Sequence, residues 1–221
     1  AYAATFNGEQ DVYFARIGDP AIDTTYAAAG GAAGSLGART GTFLHYRFNR
    51  GGFAEGFANG AIFYKPGVGA FELSGAIRDA YFAAGGAAGA YGWPTSAAAC
   101  ASGICRQDFE GGSYASSSLG GYWIVDPIRA KMTASGGMAA WGAPSTPLTT
   151  LTTNGGGHGQ AFASGSAYYR ADGKVSFVSG AIRERYFASN GASGSLGFPV
   201  SDMSCDGSSA CRQQFQYGWI M

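Results

Sequence analysis

The chain has 221 residues, 46% of them hydrophobic, and a formal net charge of zero. It is long enough for one large domain or two small ones with a substantial core, and no apolar run approaches the length of a membrane span. Only Lys65, Lys131 and Lys174 are lysines, and no basic stripe exists to track phosphates. Nucleic-acid binding and membrane insertion are excluded on that basis, and recognition must rest on shape, stacking and hydrogen bonds.

The chain opens on "AYAATF" with no signal peptide, as a secreted protein in its mature form would. "DVYFARIGDPAI" then reads as the closing strand of a unit running into a helix. Asp19 suits a helix N-cap and Pro20 the first helical position, where a missing N–H costs nothing. The helix ends at Gly30–Gly31, whose backbone tolerates a left-handed turn. Gly37 opens a tight bend, and "FANGAIFY" follows as two short strands rich in aromatic and β-branched residues.

That order recurs. "GAIRDAYFAAGGAAGAYGWPTS" begins at Gly75 and "GAIRERYFASNGASGSLGFPVS" at Gly180, with a weaker copy from Asp126. The anchoring isoleucines are Ile22, Ile77, Ile128 and Ile182, and Phe57, Phe109, Phe162 and Phe215 each begin F-x-x-G at spacings of 52, 53 and 53. A period near 53 residues means a repeat architecture. In each unit Ser74, Asp126 or Ser179 suits the N-cap, and Ile77/Tyr81 and Ile182/Tyr186 share one helical face. Helices of two to three turns must dock on something to persist. The reading is one domain over 1–221, with helix-to-bend blocks at 19–40, 74–96, 126–146 and 179–201. The chain finishes "QQFQYGWIM", a first strand with no second strand after it, and the apolar Trp219, Ile220 and Met221 make a poor end cap. The expected fold is therefore an α+β repeat protein. It is read as a closed ring of four hairpin-plus-short-helix units, propeller-like, with the C-terminal strand pairing with the N-terminal one. A curved open stack is the alternative.

Four cysteines fall in two close pairs, Cys100/Cys105 and Cys205/Cys211. C-x4-C and C-x5-C with no neighbouring histidine is poor zinc spacing, and two local disulfides fit better. They imply an oxidising, extracellular compartment. His45 and His158 occupy non-equivalent positions and belong to no metal-ligand pattern, so no metal or other cofactor is expected. No G-x-S-x-G occurs, and the glycine runs lack a phosphate-loop Lys-Ser/Thr. Asp108 and Glu110 alternate around Phe109, as a glycosidase pair could, but a solvated strand face is the better reading.

At "SLGFPVSD" (195–202) the unit resembles the LGFP repeat, whose Q-x-F-E-G-G, G-x-I-x-x-x-Y and L-G-F-P-x-S-D motifs are matched by "RQDFEGGS" (106–113) and "GAIRERY" (180–186) as well. The resemblance covers essentially the whole chain. The copies depart from it at Tyr91-Gly-Trp-Pro94, at Trp141-Gly-Ala-Pro144 and at "LGAR" (36–39), which has no proline. Such repeats resemble accessory modules of secreted mycolyltransferases and peptidoglycan hydrolases that hold the enzyme to the cell wall. The resemblance implies a secreted, lectin-like, multivalent, non-catalytic binder of cell-wall polysaccharide or another glycan, monomeric and cell-wall associated. A structural or protein-interaction module and a small glycoside or ester hydrolase are the alternatives. Glycan contact calls for exposed aromatic faces beside amide, acid or arginine groups. The candidates are Trp93, Trp123, Trp141, Tyr64, Tyr169 and Phe198, with Gln107, Glu110 and Arg78. Repeated groups such as Gln107, Gln160, Gln213 and Arg78, Arg129, Arg183 can equally serve to pin one unit to the next.

Overall fold

The computed structural model of the chain describes residues 19–47, 51–207 and 210–221. Short helices alternate with antiparallel meanders. Helix α1 (Pro20–Ala28) precedes a first sheet of β1 (Arg39–Tyr46), β2 (Gly52–Phe57), β3 (Gly60–Lys65) and β4 (Gly69–Ser74). Helix α2 (Gly75–Ala83) follows, then a second sheet of β5 (Ala99–Ala101), β6 (Ile104–Phe109), β7 (Gly112–Ser117) and β8 (Gly120–Val125). Helices α3 (Asp126–Ala134) and α4 (Gly137–Trp141) lead to a third sheet of β9 (Thr149–Leu151), β10 (Gly157–Phe162), β11 (Gly165–Arg170) and β12 (Val175–Ser179). Helix α5 (Gly180–Ala188) leads to a fourth sheet of β13 (Ser204–Cys205), β14 (Cys211–Phe215) and β15 (Gly218–Ile220).

Two expectations are corrected. Each unit is a meander rather than a two-stranded hairpin, because the stretch after the bend contributes an outer strand and the stretch before the next helix another. The closed propeller-like ring also fails: the four sheets are separate and none closes on itself. The physical reason is local supply. The strand that looked orphaned at the end of the chain, β14, already has β13 and β15 as partners. The N-terminal strand expected to complete the ring lies outside the described residues.

The chain divides into two compact units, Ala1–Ala98 and Ala99–Met221. In the first, α1 packs on one face of the first sheet through Ile22, Leu36, Phe57 and Ile62, while Tyr81 of α2 meets Phe63 edge-on at 5.1 Å. In the second unit, Ile128 and Met132 of α3 lie among Ala115 and Ile124 of the second sheet and Phe162 and Ala167 of the third. Ile182 and Tyr186 of α5 sit in the same way among Tyr168, Val178, Phe215 and Ile220. Burying each of these large side chains contributes about 1.5–3 kcal/mol, which is what holds helices too short to stand alone.

Local chemistry sets the helix ends. Asp19 accepts the Ala21 N–H at 2.8 Å, a side-chain cap with Pro20 behind it. Ser74 and Ser179 occupy the cap position without a side-chain bond, and Asp126 lies inside α3, paired with Arg129. At the other end Gly30, Gly85, Gly136 and Asn190 are all left-handed, as their sequence positions predict. A 3₁₀ turn follows in three copies, and there Gly34, Gly89 and Gly194 approach a carbonyl so closely that a Cβ would sit 1.8–1.9 Å from its oxygen. The third copy has Ala140 at that position. Its methyl cannot enter the same approach, and the chain winds on as α4 instead.

Repeated polar groups clamp successive elements. Tyr26, Tyr81 and Tyr186 donate to the carbonyls of Gly37, Gly92 and Gly197 at 2.8, 3.0 and 2.7 Å, tying each helix to its bend. The buried amide of Gln160 donates to Trp123 (2.8 Å) and Thr146 (3.1 Å), and that of Gln213 to Phe177 (3.0 Å) and Ser201 (2.8 Å). In the first copy, Arg39 replaces the bend proline and Glu55 replaces the glutamine. The two pair at 2.6 Å, with the guanidinium over the Tyr26 ring at 4.6 Å. The equivalent helix arginines hold the preceding hairpin in two copies: Arg129 donates to Phe109 and Gly112, and Arg183 to Ser166.

Candidate ligand-binding face

One register position of each sheet takes a small residue three times and a tryptophan once. Ala61 opposite Gly56, Ser113 opposite Asp108 and Ser166 opposite Ala161 are buried. In the fourth sheet Trp219 stands opposite Gln214 and is 52% exposed. Arg212 lies two residues before Gln214 on the same face of β14, with its guanidinium 5.6 Å from the centre of the Trp219 ring. Tyr217 and Met221 are exposed beside them. A cavity of about 360 Å³ adjoins this face, lined by Ser204, Asp206, Ala210 and Arg212, the Cys205–Cys211 pair and Met221. The disulfide closes the loop between its cysteines, and within it Asp206 accepts the Ala210 N–H at 3.2 Å. A flat indole, a guanidinium and an amide on one pleated surface can stack on a sugar ring and hydrogen-bond its hydroxyls.

The residues singled out from the sequence fall elsewhere. Trp93, Trp141 and Phe198 are buried, with 0–2% of their surface accessible, so their rings offer no face to a ligand. Trp141 is stacked on Phe177 at 3.9 Å, Trp93 packs edge-on against Tyr46 at 5.6 Å, and Phe198 meets Tyr168 edge-on at 6.2 Å. Gln107 is buried as well. Trp123, Tyr64 and Tyr169 are half-buried on their strands, against Phe109, Phe53 and His158 respectively. Arg78 pairs with Asp79 at 3.0 Å. Glu110 is exposed in the turn after β6, not on the strand, so it does not share a sheet face with Asp108; that carboxylate accepts from Arg106 and from Ser113.

The histidines and cysteines share one structural role. A cross-strand position between the first two strands of each sheet holds a His45–Phe53 stack at 4.8 Å in the first sheet and Cys100–Cys105 in the second. In the third it holds a Thr150–His158 hydrogen bond at 3.3 Å, and in the fourth Cys205–Cys211. Both histidines are on strands rather than loops. Burial governs the perturbed tyrosines. It pushes the Tyr186 phenol well above its ordinary range, with Tyr168 adding to the rise, and raises Tyr168 to about 12, partly offset by Arg183.

The bend, sheet and helix repeat in this order can be compared with known families. The family model of the LGFP repeat matches residues 36–89 and 142–194. Two stretches of the chain match the LGFP repeat, consistent with an LGFP-repeat protein. No curated protein matches it. The matched stretches start at the bend and run through a complete sheet and the helix behind it, so the LGFP unit is bend, meander, helix and turn. The fourth sheet lies outside the matched stretches, and by strand register the face carrying Trp219 corresponds to the face that the following helix covers in the other sheets. LGFP repeats are found in cell-wall-associated proteins, and the two disulfides of this one fit an extracellular location. No helix among the described residues is long and apolar enough to cross a membrane. Sequence reasoning passed over Trp219 as an exposed aromatic because its apolar run reads as packing. The signal that could have found it is a tryptophan aligned with Ala61, Ser113 and Ser166.

Proposed function

We propose that this protein is a secreted, monomeric, non-catalytic module that binds cell-wall glycan, with the open face of the fourth sheet as its principal contact. The observation that carries the reading is Trp219, exposed at a position that is small and buried in the three other sheets, with Arg212 over its ring. Multivalency is supported by a recurring second arrangement. Phe82 of α2 and Phe187 of α5 are equivalent residues, 49% and 46% exposed, each four residues after an arginine, and Arg183 lies over the Phe187 ring at 4.8 Å. Weak sites on one chain gain through avidity on an insoluble polymer. The non-catalytic part of the reading is supported by the pairing of Asp108 with Arg106, which leaves that carboxylate engaged.

The test is retention of the purified chain on insoluble cell-wall material and its release by soluble oligosaccharide. Trp219→Ala is expected to lose most of the retention while keeping the wild-type melting temperature. Equal retention of the variant, or turnover of polysaccharide or ester substrates by the wild type, would overturn the reading.

A further inference from the structure

We infer that the second sheet and α3 form a further saccharide subsite, a polar groove in which Arg106, Asp108, Asp126 and Thr133 hydrogen-bond the hydroxyls of a neutral sugar. This rests on the glycan-binding reading above and adds a second site with a different mode of recognition.

The groove has a volume of about 710 Å³ and lies between β6 and one side of α3. That size falls in the range of small-ligand sites, about 300–1,000 Å³. Arg106 and Asp108 line it from the strand. Asp126, Arg129, Ala130 and Thr133 line it from the helix, at i, i+3, i+4 and i+7, which puts them on one stripe. The stripe flanks Ile128 and Met132, which pack on the sheets.

Comparison with the other sheets separates what the fold needs from what it does not. The helix arginine recurs as Arg78, Arg129 and Arg183, and in two of the three places it holds the preceding hairpin. The other polar groups are particular to this groove. In the first and third sheets Ala54 and Gly159 stand where Arg106 does, and Gly56 and Ala161 where Asp108 does. On α2 and α5, Gly75 and Gly180 take the place of Asp126, and Phe82 and Phe187 that of Thr133. Helix and sheet dock there without these groups, so the architecture does not call for them. Threonine in place of phenylalanine also takes a bulky ring off the stripe, where the charged side chains gather.

These charges are fixed in position. Asp108 accepts from Arg106 at 2.8 Å and from the Ser113 hydroxyl at 2.5 Å. Asp126 pairs with Arg129, whose guanidinium is anchored on the carbonyls of Phe109 and Gly112. Two arginines and two aspartates leave the groove without net charge, so a charged ligand would find no unmatched counter-charge. Hydroxyls suit such a site. Each can donate to a carboxylate and accept from a guanidinium, and both groups have more hydrogen-bonding capacity than one ion pair uses. Arg129 meets Asp126 at Oδ1, and among the described residues neither Oδ2 nor the hydroxyl of the exposed Thr133 has a partner.

Calorimetric titration of the purified chain with the neutral oligosaccharide fraction of digested cell wall tests this, alongside retention on the insoluble wall. Thr133→Phe gives α3 the residue that α2 and α5 carry and fills the groove, and Asp126→Ala removes an acceptor as an independent variant. Both are compared with Trp219→Ala, with melting temperatures confirming that each variant is folded. The expected result is two sites in the wild type, one in Thr133→Phe, one in Trp219→Ala and none in the double variant. Asp126→Ala should weaken the groove site, and binding should change little between low salt and about 0.5 M salt. Loss of the groove should weaken retention on the wall about tenfold or more through lost avidity. Wild-type stoichiometry and retention in both Thr133→Phe and Asp126→Ala, with loss in Trp219→Ala, overturns the groove and leaves the fourth-sheet reading standing. Loss in Thr133→Phe with wild-type behaviour in Trp219→Ala supports the groove and removes the fourth-sheet contact. Groove-dependent binding that is abolished by salt, or that follows a wall peptide fraction instead of the neutral sugars, overturns the neutral saccharide. No binding by the wild type removes both sites.

Discussion

The second and fourth sheets present the same strand positions to opposite fates. In the second, Arg106, Asp108 and Ser113 form a hydrogen-bonded cluster, Ala115 lies behind them, and α3 covers the face with Ile128 and Met132. In the fourth, Arg212, Gln214, Trp219 and Met221 stand at the corresponding places, and no helix among the described residues lies over them. A covered face must be small and self-satisfied, because every volume change is felt by the helix above and every polar atom must find a protein partner. An uncovered face is free of both constraints. It can carry a large exposed aromatic ring with an arginine stacked on it.

Exchanging the two solutions should give the largest effect. Ser113→Trp places an indole under α3 and removes the hydroxyl bonded to Asp108, and it is expected to cost about 3 kcal/mol or more, read by chemical denaturation. The next largest effect is expected at the clamp below the open face. Gln213→Leu removes two hydrogen bonds and leaves the carbonyls of Phe177 and Ser201 unsatisfied, a loss of about 2 kcal/mol.

Alkaline titration sharpens the comparison through the helices. Tyr168 and Tyr186 are buried around α5, whereas the equivalent of Tyr186 on α3 is Met132, which has no phenol. Burial raises both phenols above the unfolded value of about 10, Tyr168 to about 12. Above pH ~10 the unfolded chain therefore gives up protons that the folded chain retains. Stability is expected to be fully present below that pH and to fall progressively as the pH approaches 12. Tyr186→Phe should be less stable near neutrality, by about 1 kcal/mol for the lost bond to Gly197, but should show a shallower alkaline decline. A decline of equal slope in the variant would assign the effect to other groups. The smallest change in stability is expected for Trp219→Ala, within about 0.5 kcal/mol, because a half-exposed ring on an open face contributes little to packing. A large destabilisation there would show that the indole is structural and would remove it as a contact residue.

Some of this was legible in the residues themselves. The period, the left-handed helix stops, the bends at Gly92, Gly142 and Gly197, the paired cysteines and the shared face of Ile77 and Tyr81 all follow from local conformational preference. A glycine at a positive-φ position and an i, i+4 pair impose the same geometry in any setting. The clamp role of Gln160 and Gln213 was foreseen as one of two possibilities, and burial decided it. Sequence reasoning went wrong where strands were counted. The outer strands β5, β9 and β13 are two or three residues long, too short for an alternating pattern to mark them, so only their pairing reveals them. With those strands missing, the last unit seemed to lack a partner and a ring seemed necessary.

The aromatic candidates divide in the same way. Trp93 and Trp141 have the composition of a sugar platform, but their positions next to the bend turn them inward, where Phe63 and Phe177 enclose them. Trp219 has the composition of a core residue and is held outward. Where the helices stop and where the bends fall was determined by the sequence alone, because backbone geometry at Gly, Pro and Asp is a short-range property. Which aromatic side chains meet solvent was decided only by the tertiary structure, since a residue on a pleated strand is buried or exposed according to whether another element packs on its face.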